Sequence, residues 1–152
     1  MSEAIEAMRR SIKQKQMQRL FQMEPGRELD ALIARYVEGY QVVRRSLQDM
    51  DADYWIRPLS SMRSEEGELE RVPTYSTTIF SAHALLNRYR QWRLQSEGEA
   101  GIQAEICGDE GAVGSSGACR TVPEAISKAA VALMIAENHL IEELLEEHGD
   151  AI

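Results

Sequence analysis

The chain has 152 residues, 43% of them hydrophobic, and its 17 Lys and Arg against 25 Asp and Glu leave a net charge of −8. That length gives one domain, or one domain with extensions, able to bury roughly two thirds of its unfolded surface without staples. The acidic balance argues against direct nucleic-acid binding, which needs clustered Lys and Arg.

No run of about 18 apolar residues exists to span a membrane. The N-terminus Met1–Met8 lacks the basic-then-apolar form of a secretion signal, so the expected compartment is the cytoplasm. Cys107 and Cys119 are the only cysteines; in that setting they are expected to be reduced and structural. Charge is placed unevenly: residues 1–27 hold six basic and three acidic groups, and residues 129–152 hold six acidic groups and no Lys or Arg.

Ile5, Met8, Ile12, Met17, Leu20 and Phe21 mark a helix over 2–22. Pro25-Gly26 breaks the chain. A second helix over about 27–38 carries Leu29, Leu32, Ile33, Tyr36 and Val37 on one face, and Gly39 stops it. Residues 40–58 read as two short strands around a polar turn at 48–53, and 59–71 as an exposed loop.

The third helix starts near Thr77, with Ser76 as its cap and Ile79, Phe80, Ala82, Leu86 and Tyr89 facing the core. Trp92–Gln95 begins a strand, and Ile102, Ala104 and Ile106 alternate with polar residues as a half-buried strand does. Gly108–Gly117 is read as a flexible hairpin loop, with a strand returning through Ala118–Arg120. The last helix has the clearest start: Thr121 caps it, Glu124 completes a capping box, and Pro123 sits where its missing amide costs little. Its stripe Ile126, Ala129, Leu133, Ala136, Leu140 and Leu144 runs the helix to about Glu147.

Four pieces of this chain resemble the phage ABA sandwich domain, a family of small phage and prophage proteins: Glu28–Ala34 followed by Val37–Tyr40, Tyr54–Pro58, Pro73–Thr77, and Thr121–Ile126. Thr78 stands where that family usually has Asp. The resemblance covers about Glu28 to Ala136 and implies an α+β fold, a small, mainly antiparallel sheet sandwiched by helices. It carries origin and fold, and no activity. The chain is thus divided into an N-terminal helical extension (1–24), a sandwich domain (25–136) and an acidic C-terminal helical extension (137–152). The basic first and acidic last segments are expected to pack on each other, within one chain or across a homodimer, with Arg9, Arg10 and Lys13 facing Glu142, Glu143, Glu146 and Glu147 and apolar stripes supplying most of the energy.

Candidate sites each have a plain alternative. Tyr75, Ser76 and Thr77 offer hydroxyls and amides at a helix start, an anion site if Arg57 and Arg120 come near; helix capping explains them as well. The glycine-rich loop lacks the Lys-Ser or Lys-Thr of a phosphate loop. His83, His139 and His148 have no ligand at metal spacing, so no metal is expected, and nothing local activates either thiol for nucleophilic work. Tyr54, Trp55, Tyr75 and Trp92 are expected in the core rather than stacked on a base.

The expected function is that of a non-enzymatic phage or prophage accessory protein that binds a protein stoichiometrically, in the cytoplasm of an infected or lysogenic bacterial host. By analogy with other small acidic phage proteins it would be an anti-defence inhibitor of the anti-CRISPR kind. Its contact surface would be Glu65, Glu66, Glu68, Glu70, Glu142, Glu143, Glu146 and Glu147, facing a host protein with a basic surface. No cofactor is expected. The alternative is a small-ligand or nucleotide-signal binder built on Ser76 and Thr77; an enzyme ranks third.

Overall fold

In a computed structural model, residues 2–45, 53–57 and 69–146 are described. Helix α1 is Glu3–Gln22, with the Ser2 hydroxyl accepting from the Ile5 amide. Helix α2, Arg27–Leu32, widens into a π-helical turn over Ile33–Val37, and Gly39 ends it at φ 79°. Strands β1 (Gln41–Arg45), β2 (Asp53–Arg57) and β3 (Glu70–Arg71) follow, then helix α3 (Ile79–Leu86). Strands β4 (Gln91–Ser96), β5 (Ile102–Cys107) and β6 (Val113–Ser115) precede helix α4 (Val122–Ala136).

The α+β class is as expected, with every strand pairing antiparallel. The strands are divided between two sheets rather than gathered into one. Their orders are β1-β2-β3 and β4-β5-β6.

Helix α4 is the centre of the molecule. From Pro123 to Leu133 every residue is buried. Ala125, Ala129, Ala130 and Ala132 keep its surface narrow, so β5, β6, α3, α1 and the π turn all reach it. Thr121 caps it as expected, its Oγ1 accepting from the Glu124 amide at 3.3 Å, but the Glu124 carboxylate accepts from the amide of Arg120 at 3.1 Å, one residue before the cap residue that a capping box would use. Glu124 also pairs with Lys128 at 2.9 Å, both almost fully buried, and Lys128 Nζ donates to the Phe21 carbonyl at 3.0 Å. That ammonium ties the end of α1 to the central helix.

Four expectations are corrected. Helix α4 stops at Ala136 instead of running to Glu147, because Asn138 takes a left-handed conformation (φ 71°) and turns the chain back. Ile141 and Leu144 then bury completely, the latter in a short 3₁₀ turn over Glu142–Leu144. On α1, Ile5, Met8 and Phe21 are exposed, and the packed face is centred on Gln16 and Leu20. On α3 the core face is Ala82, Leu85 and Leu86, whereas Ile79 and Phe80 are exposed, since the helix starts two residues later than expected and Phe80 falls off the stripe. The strand returning from the glycine-rich segment is β6, inside 108–117; Ala118–Arg120 adds only a single bridge, Cys119 to Ile102.

The terminal segments do meet within one chain. Lys13 Nζ, however, donates to the Ala136 carbonyl at 3.4 Å, and Glu143 turns to Arg35.

Candidate functional site

Between α2, the face of β1–β2 and the 141–146 segment lies a groove of about 590 Å³. Residues 28, 31, 32 and 35 fall at helical spacing, so Glu28, Ala31, Leu32 and Arg35 line one wall. The other wall comes from the sheet. Val42 and Arg44 alternate outward from β1, and Tyr54 stands opposite Arg44 on β2. Arg44 lies over the Tyr54 ring, 5.9 Å from its centre. Glu143 and Glu146 close the rim, carried there by the turn at Asn138 and anchored by buried Ile141 and Leu144.

The rim is electrostatically mixed. Arg35 Nη1 reaches Glu143 Oε1 at 3.0 Å, and the Tyr36 hydroxyl donates to the same oxygen at 3.0 Å. Glu143 Oε2 is buried and has no partner among the described residues. Burial, and then the hydrogen bond to Glu143, push the Tyr36 hydroxyl above its ordinary value. Burial, followed by the Glu28 carboxylate, raises Tyr54, with Arg44 acting against them. The groove therefore offers an apolar floor, a rim in which Glu28, Glu143 and Glu146 alternate with Arg35 and Arg44, and one buried carboxylate oxygen, Glu143 Oε2, with no donor among the described residues. The complementary guest is a long side chain ending in N–H groups.

The helix-start site is not built as expected. Helix α3 begins at Ile79 with Thr78 at its cap and no side-chain cap bond. Ser76 is fully buried and belongs to a tertiary cluster. Its amide and hydroxyl both donate to Asp30 Oδ1 at 2.7 Å, and its Oγ accepts from the Gly26 amide at 2.8 Å. Ser76 thus locks the start of α2 to the segment before α3, and its polar atoms are engaged. Tyr75 is buried, with burial holding its hydroxyl far above the ordinary value, while Thr77 is exposed.

Arg57 is half-buried on β2, its Nε without a partner among the described residues. Arg120 is exposed and lines a separate depression with Thr121 and Phe21. No hydrogen bond among the described residues joins either arginine to Tyr75, Ser76 or Thr77.

Of the acidic surface, Glu70 is exposed on β3, Glu142 and Glu146 are exposed, and Glu143 is partly buried in the groove. Glu65, Glu66, Glu68 and Glu147 lie outside the described residues. Of the aromatics, Tyr75 is in the core and Tyr54 packs against it, whereas Trp92 is 46% exposed on an edge strand.

A second cluster ties the start of α2 to strands β2 and β3. Asp53 accepts from Arg27 Nε at 2.7 Å, Arg71 Nε at 2.6 Å and the Tyr54 amide at 2.7 Å. Burial raises its carboxyl, but those three donors outweigh it and hold the group down to about 2. Burial pushes Asp30 the other way, above its ordinary value, against the pull of Ser76 and Arg27. Both carboxylates are structural ties, and neither is legible as such, because the partners that make them so are distant in sequence: Ser76 for Asp30, and Arg27 and Arg71 for Asp53. Among the described residues no three His, Cys, Asp or Glu groups gather to hold a metal ion. No described helix is long and apolar enough to cross a membrane.

The fold is similar to that of a phage protein from Bacillus cereus ATCC 14579. The two chains are 24% identical, with a TM-score of 0.53, over 73% of this chain and 92% of that one. At this identity the likeness is one of fold. No family model matches the chain, and no curated protein matches it.

Proposed function

We propose that this is a phage-derived accessory protein that works without catalysis, by stoichiometric binding of a host protein with a basic surface, as an anti-defence inhibitor does. The groove supports this reading most directly. It sets three carboxylates, Glu28, Glu143 and Glu146, against two guanidinium groups, Arg35 and Arg44, around an apolar floor, with Glu143 Oε2 buried and unpartnered among the described residues. A lysine or arginine of the partner would lay its stem over Leu32 and Val42 and bring its charged head to Glu143. The fold shared with a phage protein and the net charge of −8 support the origin and the sign of the partner. Small-ligand binding at Ser76 has less support, since its hydroxyl and amide are already used by Asp30 and Gly26.

The test is capture of a host protein by the full chain, compared with a Glu28→Gln, Glu143→Gln, Glu146→Gln variant and repeated as salt rises. A partner rich in Lys and Arg should be lost from the variant and released at high salt, where screening acts within about 3 Å at 1 M. Retention in both conditions refutes the groove. A melting temperature raised by nucleotides in the wild type, and not in Arg57→Ala, Arg120→Ala, would instead favour a small ligand.

A further inference from the structure

Strand β4 is the open edge of its sheet. All of its residues are exposed, including Trp92 at 46% and Leu94 at 36%. The ladder fixes which backbone groups face outward. Ile102 exchanges both bonds with Cys119, at 2.8 Å each. Ala104 accepts from the Ser116 amide at 3.0 Å and donates its own amide to Ser116 Oγ at 2.9 Å. The backbone groups of Ile102 and Ala104 therefore turn away from β4. Their opposites, Ser96 and Leu94, sit in pairs without mutual hydrogen bonds, and Trp92 opposite Ile106 continues the alternation. The Glu97 amide bonded to the Gly101 carbonyl at 2.7 Å sets the same parity from the other end. Trp92, Leu94 and Ser96 thus present their N–H and C=O groups to the open side. Opposed residues share a face, so the side chains of Trp92 and Leu94 extend the face that Ala104 and Ile106 bury against α4.

Charge along this segment is divided. Arg90 lies just before its start and Glu97 and Glu99 follow its end, while Arg88 and Arg93 are paired within the chain, with Glu38 at 2.8 Å and Glu105 at 2.9 Å. Laid antiparallel on itself, the segment brings Arg90 toward Glu97 and Glu99 of the copy, at both ends of the pairing. We propose that a second copy of this chain docks on β4 through its own β4, antiparallel about a two-fold axis at Leu94, joining the two three-stranded sheets into one.

The register follows from the same facts. Faces match only when opposed residues have the same parity. Centring on Leu94 opposes Leu94 to Leu94 and Trp92 to the copy's Ser96, so every outward group of Trp92, Leu94 and Ser96 is bonded. Centring one residue earlier would oppose Arg93 to Arg93 and leave one bonded pair unused, with like charges directly across. In the Leu94 register Arg90 falls opposite Gly98 of the copy, between its Glu97 and Glu99. Arg93 keeps its own partner Glu105, at 2.9 Å on the other face.

The test measures the mass of the full chain in solution by sedimentation as concentration rises. The wild type should reach twice 17.2 kDa. Leu94→Pro removes an outward N–H that β5 does not use, so the fold should stand while dimer dissociation rises at least ~10-fold. Should that variant misfold, charge reversal decides. Arg90→Glu and Glu97→Arg should each weaken the dimer alone and restore it when mixed, because each then meets its opposite on the other chain. A wild type that stays monomeric up to about 1 mM overturns the proposal. So does a dimer indifferent to Leu94→Pro and to charge reversal, which would place the interface elsewhere, on the terminal helices or another strand.

Discussion

The amide of Ile141 donates to Gln16 Oε1 at 2.8 Å, across 125 positions of sequence, and both residues are buried to within 1%. A carboxamide on α1 thereby supplies the acceptor that the chain lost when α4 ended. The terminal segments hold each other by this bond, by the Lys13 bond to the Ala136 carbonyl and by the apolar burial of Leu20, Ile141 and Leu144. Replacing Gln16 with Ala leaves the Ile141 amide buried and unpaired, which costs about 1–3 kcal/mol. Urea unfolding should report that loss as a lower midpoint with an unchanged slope. Deleting residues 1–22 should cost more, since it also uncovers Leu144 and takes the Phe21 carbonyl from Lys128. A deletion that melts with the wild type refutes this account of α1.

Local signals were legible and tertiary ones were not. The start of α4 is written in Thr121, Pro123 and Glu124, which act on amides within four residues of themselves. The alternation of β5 is likewise local. The end of α4 was hidden because Leu140 and Leu144 continue a helical period beyond the turn at Asn138. Ser76 was misread for a chemical reason: a hydroxyl that caps a helix and one that serves a distant carboxylate are the same residue type, and Asp30 is 46 positions away. The groove was half visible. Glu143 and Glu146 were singled out for charge, but Glu28, Arg35 and Tyr54 join them only through the fold.

Ser76 and Asp30 make a separable prediction. Ser76→Ala removes a hydroxyl bond from a buried carboxylate and the acceptor of the Gly26 amide, for a cost of about 1–3 kcal/mol. Thr78→Ala, at the actual start of α3, has no cap bond to lose and gives up only an exposed hydroxyl bond with Thr74 Oγ1 at 2.6 Å, so it should cost less, under about 1 kcal/mol. The reverse ranking in thermal unfolding would refute the tie between Ser76 and Asp30 and make Thr78 the residue that holds the start of α3.

Asp53 and Asp30 pull the acid limb in opposite directions. The Asp53 carboxyl is held down to about 2, so its contribution is present above the ordinary carboxylate value of 3.8 and fades as pH falls toward 2. The Asp30 carboxyl is raised, so its contribution is complete below 3.8 and is lost as pH rises through its folded-state value. Asp53→Asn should therefore be destabilised at neutral pH and approach the wild type between pH 4 and 2. Asp30→Asn should instead flatten the wild-type loss on the rising side. Parallel stability curves for wild type and Asp53→Asn across that window would contradict the assigned donors.

Gly114 gives the sharpest packing test. It lies on β6 opposite Ile106, and a Cβ there would strike the Ala129 carbonyl and the Leu133 amide, with Leu133 Cα at 2.7 Å. Those atoms are backbone of the central helix, bonded within it and unable to swing aside as a flexible side chain would. Gly114→Ala should thus push β6 off α4 and cost about 1–3 kcal/mol or more, the usual penalty of overpacking. Val113→Ala on the same strand trims a side chain already 48% exposed and should stay within about 0.5 kcal/mol. Because β6 and β4 are opposite edges of one sheet, Gly114→Ala should lower the melting temperature without selectively weakening self-association through β4. If Gly114→Ala melts with the wild type, the close approach of β6 to α4 is not what holds this sheet in place.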